Sequence, residues 1–230
     1  MRNAGLIAVR KGSKRIPDKN IKDFCGSSLL EIKVKQAISC KLIDKVYVSS
    51  DCDKMLNISS KLGAIPIRRP PEFCTDSVPM NDVYEHLAKS IDSDHVTYLH
   101  VTSPLLKDET LTKSIEKYFN NIKKESHYDS LASVELIKKY LWFSEDPVNY
   151  NPNNHPRSQD LPDYYALNFA INIVPREVMV ERKNILGKNF YPFFISDIES
   201  VDVDNPHEFM IAELIYSSLN REGGDSEDIC

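Results

Sequence analysis

Leu6-Ile7-Ala8-Val9-Arg10-Lys11-Gly12-Ser13-Lys14-Arg15-Ile16-Pro17-Asp18-Lys19-Asn20 passes from a short apolar run straight into a basic loop that contains one glycine. The run Leu6 to Val9 reads as a buried strand. In open α/β sheets, ligands are held by the loops at the carboxyl ends of parallel strands, and the amides and cations of this loop suit a chain of phosphates. It is neither of the common phosphate loops, because Gly-x-Gly-x-x-Gly and the Gly-Lys-Ser/Thr ending of a Walker loop are both missing.

Outward from this strand the chain alternates short β-branched runs with longer amphipathic stretches, the pattern of βαβ units and a mostly parallel sheet. Ser28-Leu29-Leu30-Glu31 has capping-box form, and Leu30, Val34, Ala37 and Ile38 continue it as one helical face to about Cys40. Lys45 to Ser49 reads as the next strand. Met55, Ile58 and Leu62 mark a helix stopped by Gly63, and Ala64 to Ile67 a short strand. Pro79 opens a helix with Met80, Val83, Leu87 and Ile91 on one side, followed by a strand from His95 to His100. A helix over Glu109–Phe119, a strand over Ser130–Val134 and a strand over Ala170–Val174 extend the series. Asn205-Pro206-His207-Glu208 combines an N-cap, a first-turn proline and a capping glutamate, and predicts a last helix that buries Ile211, Leu214, Ile215 and Leu219. The alternation breaks between Tyr140 and Leu161, where prolines and asparagines surround Trp142 and Phe143. This stretch predicts an inserted lobe at about residues 140–165 within a single domain over residues 1–220, with residues 221–230 as an acidic tail.

Hydrophobic residues make up 41% of the 230 and charged residues 27%, as in an ordinary globular domain. With no run of roughly 18 apolar residues and no signal-peptide pattern, the expectation is a cytoplasmic protein with no membrane partner. Residues 1–22 hold seven cations against Asp18, whereas residues 197–230 hold ten acids against Arg221. The first end can hold a polyanion; the second is a poor surface for nucleic acid, so no nucleic-acid partner is expected. Five cysteines without Cys-x-x-Cys spacing read as reduced, buried thiols, and the six histidines form no metal-binding pattern.

A second candidate site is Val201-Asp202-Val203-Asp204. On a strand, residues two apart share a face about 6.6 Å along the chain, so Asp202 and Asp204 can address one hard cation or two neighbouring ones, Mg²⁺ beside phosphates.

The spacing Arg10-x-Gly12-Ser13-Lys14, a short linker and Lys19-Asn20 resembles the N-terminal signature of the acylneuraminate cytidylyltransferases (CMP-sialic acid synthetases), relatives of the Kdo-activating enzymes. Further pieces follow in family order: Val48-Ser49-Ser50-Asp51, Arg69-Pro70-Pro71-Glu72 with Thr75-Asp76, Thr102-Ser103-Pro104-Leu105, Asn168 with Ala170-Ile171, and Val201 to Asp204. The resemblance implies a Rossmann-like three-layer α/β/α nucleotidyltransferase fold and transfer of CMP from CTP to the hydroxyl of an acidic sugar, a sialic, legionaminic or pseudaminic acid, with release of pyrophosphate. Arg10, Gly12, Ser13, Lys19, Asn20 and Arg69 would then hold the nucleotide. Arg10 and Lys19 would also act in catalysis with Asp202 and Asp204, which would bind Mg²⁺. His100, Arg157, Asn168 and Asn172 would face the acceptor, and the inserted lobe would join two subunits in a homodimer. Departures from the family pattern fall on the acceptor side: His100 stands where a glutamine that meets the sugar is usual, Leu106 where an arginine is usual, with Lys107 next to it, and Ala166, Phe169 and Asn172 replace an arginine, a glycine and a tyrosine. Kdo or a phosphonate as acceptor, or a non-catalytic nucleotide-binding homologue, are the alternative readings.

Overall fold

A computed structural model describes residues 1–122, 124 and 127–222 of the chain. Its centre is a seven-stranded sheet in the order β3-β2-β1-β4-β8-β5-β9. The strands are β1 (Asn3–Ala8), β2 (Lys45–Ser50), β3 (Ile65–Arg68), β4 (His95–Leu99), β5 (Ser130–Ile137), β8 (Tyr164–Pro175) and β9 (Phe190–Phe194); the remaining two, β6 (Trp142–Phe143) and β7 (Asp146–Pro147), form a separate hairpin. The helices are α1 (Leu29–Ser39), α2 (Asp53–Lys61), α3 (Met80–Lys89), α4 (Asp108–Lys117), α5 (Arg176–Arg182) and α6 (Pro206–Glu222).

Side chains alternate across the sheet as the pleat requires. Ala4 and Leu6 of β1 pack with Val83 and Leu87 of α3 and Met179 of α5. Ile7 and Val9 point the other way, to Leu30 and Val34 of α1, Met55 of α2, Ile115 of α4 and Phe209 of α6. Two helical layers thus sandwich one sheet, the predicted α/β/α arrangement. β1 pairs in parallel with both β2 and β4. The chain moves outward through β2 and β3 and then returns to the other side of β1, so the topological switch point lies between β1 and β4.

β8 departs from the parallel pattern. It is antiparallel to β4 and β5, beginning at the pair Ile137–Tyr164. The chain leaves β5 at its carboxyl end, passes through the hairpin and 3₁₀ turns of residues 142–160, and re-enters the sheet at the same end, so it can only run back down. Sequence periodicity found the inner half of β8 and missed α5 and β9. α5 has seven residues, and β9 carries Pro192 on an edge, where a missing N–H is tolerated.

Three expectations need correction. α6 buries Phe209 and Ala212 and leaves Ile211, Leu214 and Leu219 exposed, with Ile215 between. Phe24 decides the face: Phe209 and Tyr216 meet its ring edge-on at 5.3 and 5.4 Å, and aromatic burial outweighs the aliphatic stripe. The helix also continues to Glu222, into the predicted tail, whose residues 223–230 lie outside the described ones. Of the described cysteines Cys40 alone is buried, and Cys25 is exposed.

Candidate active site

The basic loop after β1 is built by a few specific contacts. Gly12 sits at φ +85°, a left-handed conformation that a side chain would strain. Ile16 turns inward and anchors the loop in the core. Asp18, also left-handed, starts a 3₁₀ turn over Lys19–Ile21. The Asn20 amide is buried and donates to the Arg10 carbonyl at 3.3 Å, and the Lys11 N–H donates to Asp51 Oδ1 at 2.9 Å. Asn20 therefore closes the loop from within.

The result is a cleft of about 290 Å³ lined by Arg10, Ser13, Lys14, Arg15, Lys19 and Asp204, with Ile16 at its base. Its cations are held by two carboxylates. Arg10 and Lys14 both pair with Asp76, and Arg15 and Lys19 both pair with Asp204, at 3.0 and 3.2 Å. Hydrogen bonds from Lys14 and Arg10 hold the Asp76 carboxyl down to about 2. Four cations against two carboxylates leave the cluster positive; the pairs of Arg10, Lys14 and Arg15 are exposed and contribute only about 0–1 kcal/mol each, so an incoming polyanion can exchange with them, while Lys19 is mostly buried.

Asp202 and Asp204 do not lie on a strand. Residues 201–204 form a strip without regular structure, pinned by the Val203 N–H to the Thr102 carbonyl at 2.8 Å and by Lys19 Nζ to the Val203 carbonyl at 2.7 Å. The capping motif places the strip's end: Asn205 Oδ1 accepts the Glu208 N–H at 3.1 Å, and Glu208 Oε2 accepts the N–H groups of Asp204 and Asn205 at 2.7 and 3.0 Å. Crowding by the surrounding protein lifts the Asp202 carboxyl above its ordinary range; a hydrogen bond from Thr102 opposes this and the like charge of Asp204 adds to it.

The other candidates separate. Arg69 is buried and braces the ends of β1 and β2, donating to the carbonyls of Val9 and Ser49 at 2.7 and 2.8 Å. It backs a second cleft of about 400 Å³ beside Asp51, Pro70, Pro71 and Cys74. His100 lies between Tyr98 and Phe169, its Nε2 buried without a partner, and burial pulls its pKa down to about 4. Asn172 does not line an open pocket: it is fully buried in the sheet between β4 and β5, its Nδ2 on the Phe169 carbonyl and its Oδ1 unpartnered. Asn168 is engaged at both ends of its amide, accepting from Ser133 and Ala170 and donating to Ser200, where it pins the bulge that puts Phe169 at φ +57°. Arg157 pairs with Asp160 on the surface of the inserted segment. Asp76, placed by the Arg-Pro-Pro turn, braces the basic loop through Arg10 and Lys14. That the Thr102 carbonyl pins Val203, between the two aspartates, is not readable from the sequence and needs the fold.

A family model described as Cytidylyltransferase matches residues 4–168, from β1 into β8. The chain belongs to the cytidylyltransferase family. This cytidylyltransferase is 28% identical over 234 residues to the pseudaminic acid cytidylyltransferase of Campylobacter jejuni, covering 96% of this chain and 99% of that one. It is 29% identical over 235 residues to N-acylneuraminate cytidylyltransferase A of Danio rerio, covering 98% of this chain and 53% of the relative. A solved structure of CMP:2-keto-3-deoxy-manno-octonic acid synthetase complexed with CTP shares the fold at a TM-score of 0.69 with 13% identity, over 95% of this chain and 99% of that one. The resemblance read from the basic loop of this cytidylyltransferase is thereby confirmed.

Proposed function

We propose that this enzyme transfers CMP from CTP to the hydroxyl of a nonulosonic acid and releases pyrophosphate, acting as a homodimer in the cytoplasm. The observation that carries this is the convergence of Arg10, Lys14, Arg15 and Lys19 on one cleft at the sheet's switch point, faced by Asp204. The cations balance the charge of the triphosphate and of the departing pyrophosphate, which is most of what phosphoryl-type transfer needs from a protein. Arg69 keeps the carboxyl ends of β1 and β2 together, and the nucleoside is assigned to the neighbouring cleft at Pro70 and Pro71. His100, neutral at physiological pH, and Phe169 are assigned to the acceptor side.

Asp202 and Asp204 fit a hard divalent cation. Crowding, and after it the like charge of Asp204, raises the Asp202 carboxyl, and a bound divalent cation would offset both. Among the described residues no cluster of three or more potential metal ligands forms. Mg²⁺ typically takes one or two carboxylates and completes its shell with substrate phosphates and water, which matches a site of this size. When bound, Mg²⁺ would supply electrostatic activation of the α-phosphate toward the sugar hydroxyl.

The test is CTP-dependent pyrophosphate release across a panel of acids. Turnover is expected with nonulosonic acids, with pseudaminic or legionaminic acid ahead of N-acetylneuraminic acid because His100 and Phe169 alter the acceptor side. Preference for Kdo, or no release with any acid, would overturn the assignment.

The homodimer reading rests on the inserted segment, where Trp142, Phe143 and Val148 are 53%, 80% and 45% exposed. Apolar surface of that extent on a short hairpin suits a symmetric interface. Light scattering is expected to give twice 26.3 kDa, and Phe143→Asp is expected to shift the species to a monomer. A wild-type monomer at micromolar concentration would refute the reading.

A further inference from the structure

Helix α1 carries two polar side chains on its buried face. Lys33 has no exposed surface, and Leu29, Leu30, Val34 and Ala37 around it belong to the core. A buried amine is tolerated only when its hydrogen bonds are made. Lys33 Nζ donates to the Ser103 carbonyl at 2.9 Å and to Gln36 Oε1 at 2.7 Å. Gln36 extends the grip, its Nε2 donating to the Leu106 carbonyl at 2.6 Å and to Asp108 Oδ1 at 2.9 Å. One i, i+3 pair therefore holds two carbonyls of the turn between β4 and α4 and the first residue of α4. Burial brings the Lys33 pKa down to about 7, against the raising influence of Asp108. The brace does not depend on that proton, because a neutral amine still has the two N–H groups it needs.

The same turn carries the acidic strip. Thr102, one residue before Ser103, takes the Val203 N–H on its carbonyl at 2.8 Å, which seats the backbone next to Asp202. At the turn's other end the Lys107 N–H donates to Glu199 at 3.1 Å, three residues before Asp202. The placement of Asp202 is thus set from residues 102–107, and these are set from α1.

We infer that Lys33 and Gln36 are positioning residues for CMP transfer: they fix the turn after β4 and, through Thr102, the place of Asp202 relative to the basic loop. The inference rests on Asp202 and Asp204 being the cation-binding pair proposed above. Residues that orient the ligands of a metal commonly change affinity or activity by about 10–100-fold when removed, without touching the metal or the substrate.

Lys33→Met and Gln36→Leu test it, the first because an apolar chain of similar length in place of a buried charge is often neutral or stabilising. Three readouts on the full chain are needed: thermal unfolding, kinetics as a function of CTP and Mg²⁺, and amide hydrogen exchange over residues 199–205. Both variants are expected to fold, with kcat lowered about tenfold, half-saturating Mg²⁺ raised severalfold and KM for CTP within about twofold of wild type. Exchange is expected to quicken in residues 199–205 and to stay unchanged in β1 and β2. Wild-type kcat, Mg²⁺ dependence and exchange in either folded variant overturn the inference. Failure of both variants to fold also overturns it, since the pair would then serve the fold alone; if Lys33→Met fails by itself, Gln36→Leu decides. Full activity of Asp204→Ala would instead mean that the cation-binding assignment is wrong, so the two failures are distinct.

Discussion

Alanine at Asp204 or Asp202 is expected to lower kcat by about 100-fold or more, the scale of losing a principal electrostatic stabiliser of the transition state. Both variants are expected to fold, because neither carboxylate is part of the core and exposed pairs such as Asp204 with Arg15 contribute little stability. The two parameters should move apart. Removing Asp204 frees Arg15 and Lys19 from their carboxylate partner, so affinity for CTP is expected to hold or rise while turnover collapses. Chelation by EDTA is expected to abolish wild-type activity and added Mg²⁺ to restore it. A folded Asp202→Ala/Asp204→Ala double variant with near-normal kcat would remove the acidic strip from the mechanism.

The parts of this architecture that depend on neighbours in sequence were legible from the sequence. The strand that leads into the basic loop, the Ser28 cap of α1, the Gly63 stop and the Asn205–Glu208 capping box are local devices, and each stands where its residues placed it. The capping box carries further than expected, because Glu208 also fixes the backbone of Asp204. What was illegible depends on long-range competition. The face of α6 was decided by Phe24, more than 180 residues away, and the burial of Asn172 by where β8 wedges between β4 and β5. Motif matching named Asn168 for its chemistry, whereas the fold uses that amide to pin a bulge. The cations of the loop were readable as a set; their division between Asp76 and Asp204 needed coordinates.

Lys19→Ala and Lys22→Ala, three residues apart and identical in charge change, are expected to differ by an order of magnitude or more in kcat/KM for CTP. Lys19 is only 12% exposed in its side chain and reaches into the cleft, within 3.2 Å of Asp204. Lys22 lies 4.7 Å above the Phe209 ring, on the α6 side of the loop. A phosphate met at contact distance in a partly desolvated cleft gains several times what a screened surface charge supplies, since the interaction scales inversely with both distance and dielectric. The expected loss is about 10–100-fold for Lys19→Ala and under about twofold for Lys22→Ala. Lys19 also holds the Val203 carbonyl, so part of its loss is expected in kcat at saturating CTP, through a displaced acidic strip. Raising the salt concentration separates the contributions: it weakens a field effect of the whole loop in wild type and both variants alike, and leaves a close phosphate contact largely in place. Equal losses at the two positions, falling together as salt rises, would mean that the loop acts through its overall charge and that Lys19 has no specific phosphate contact.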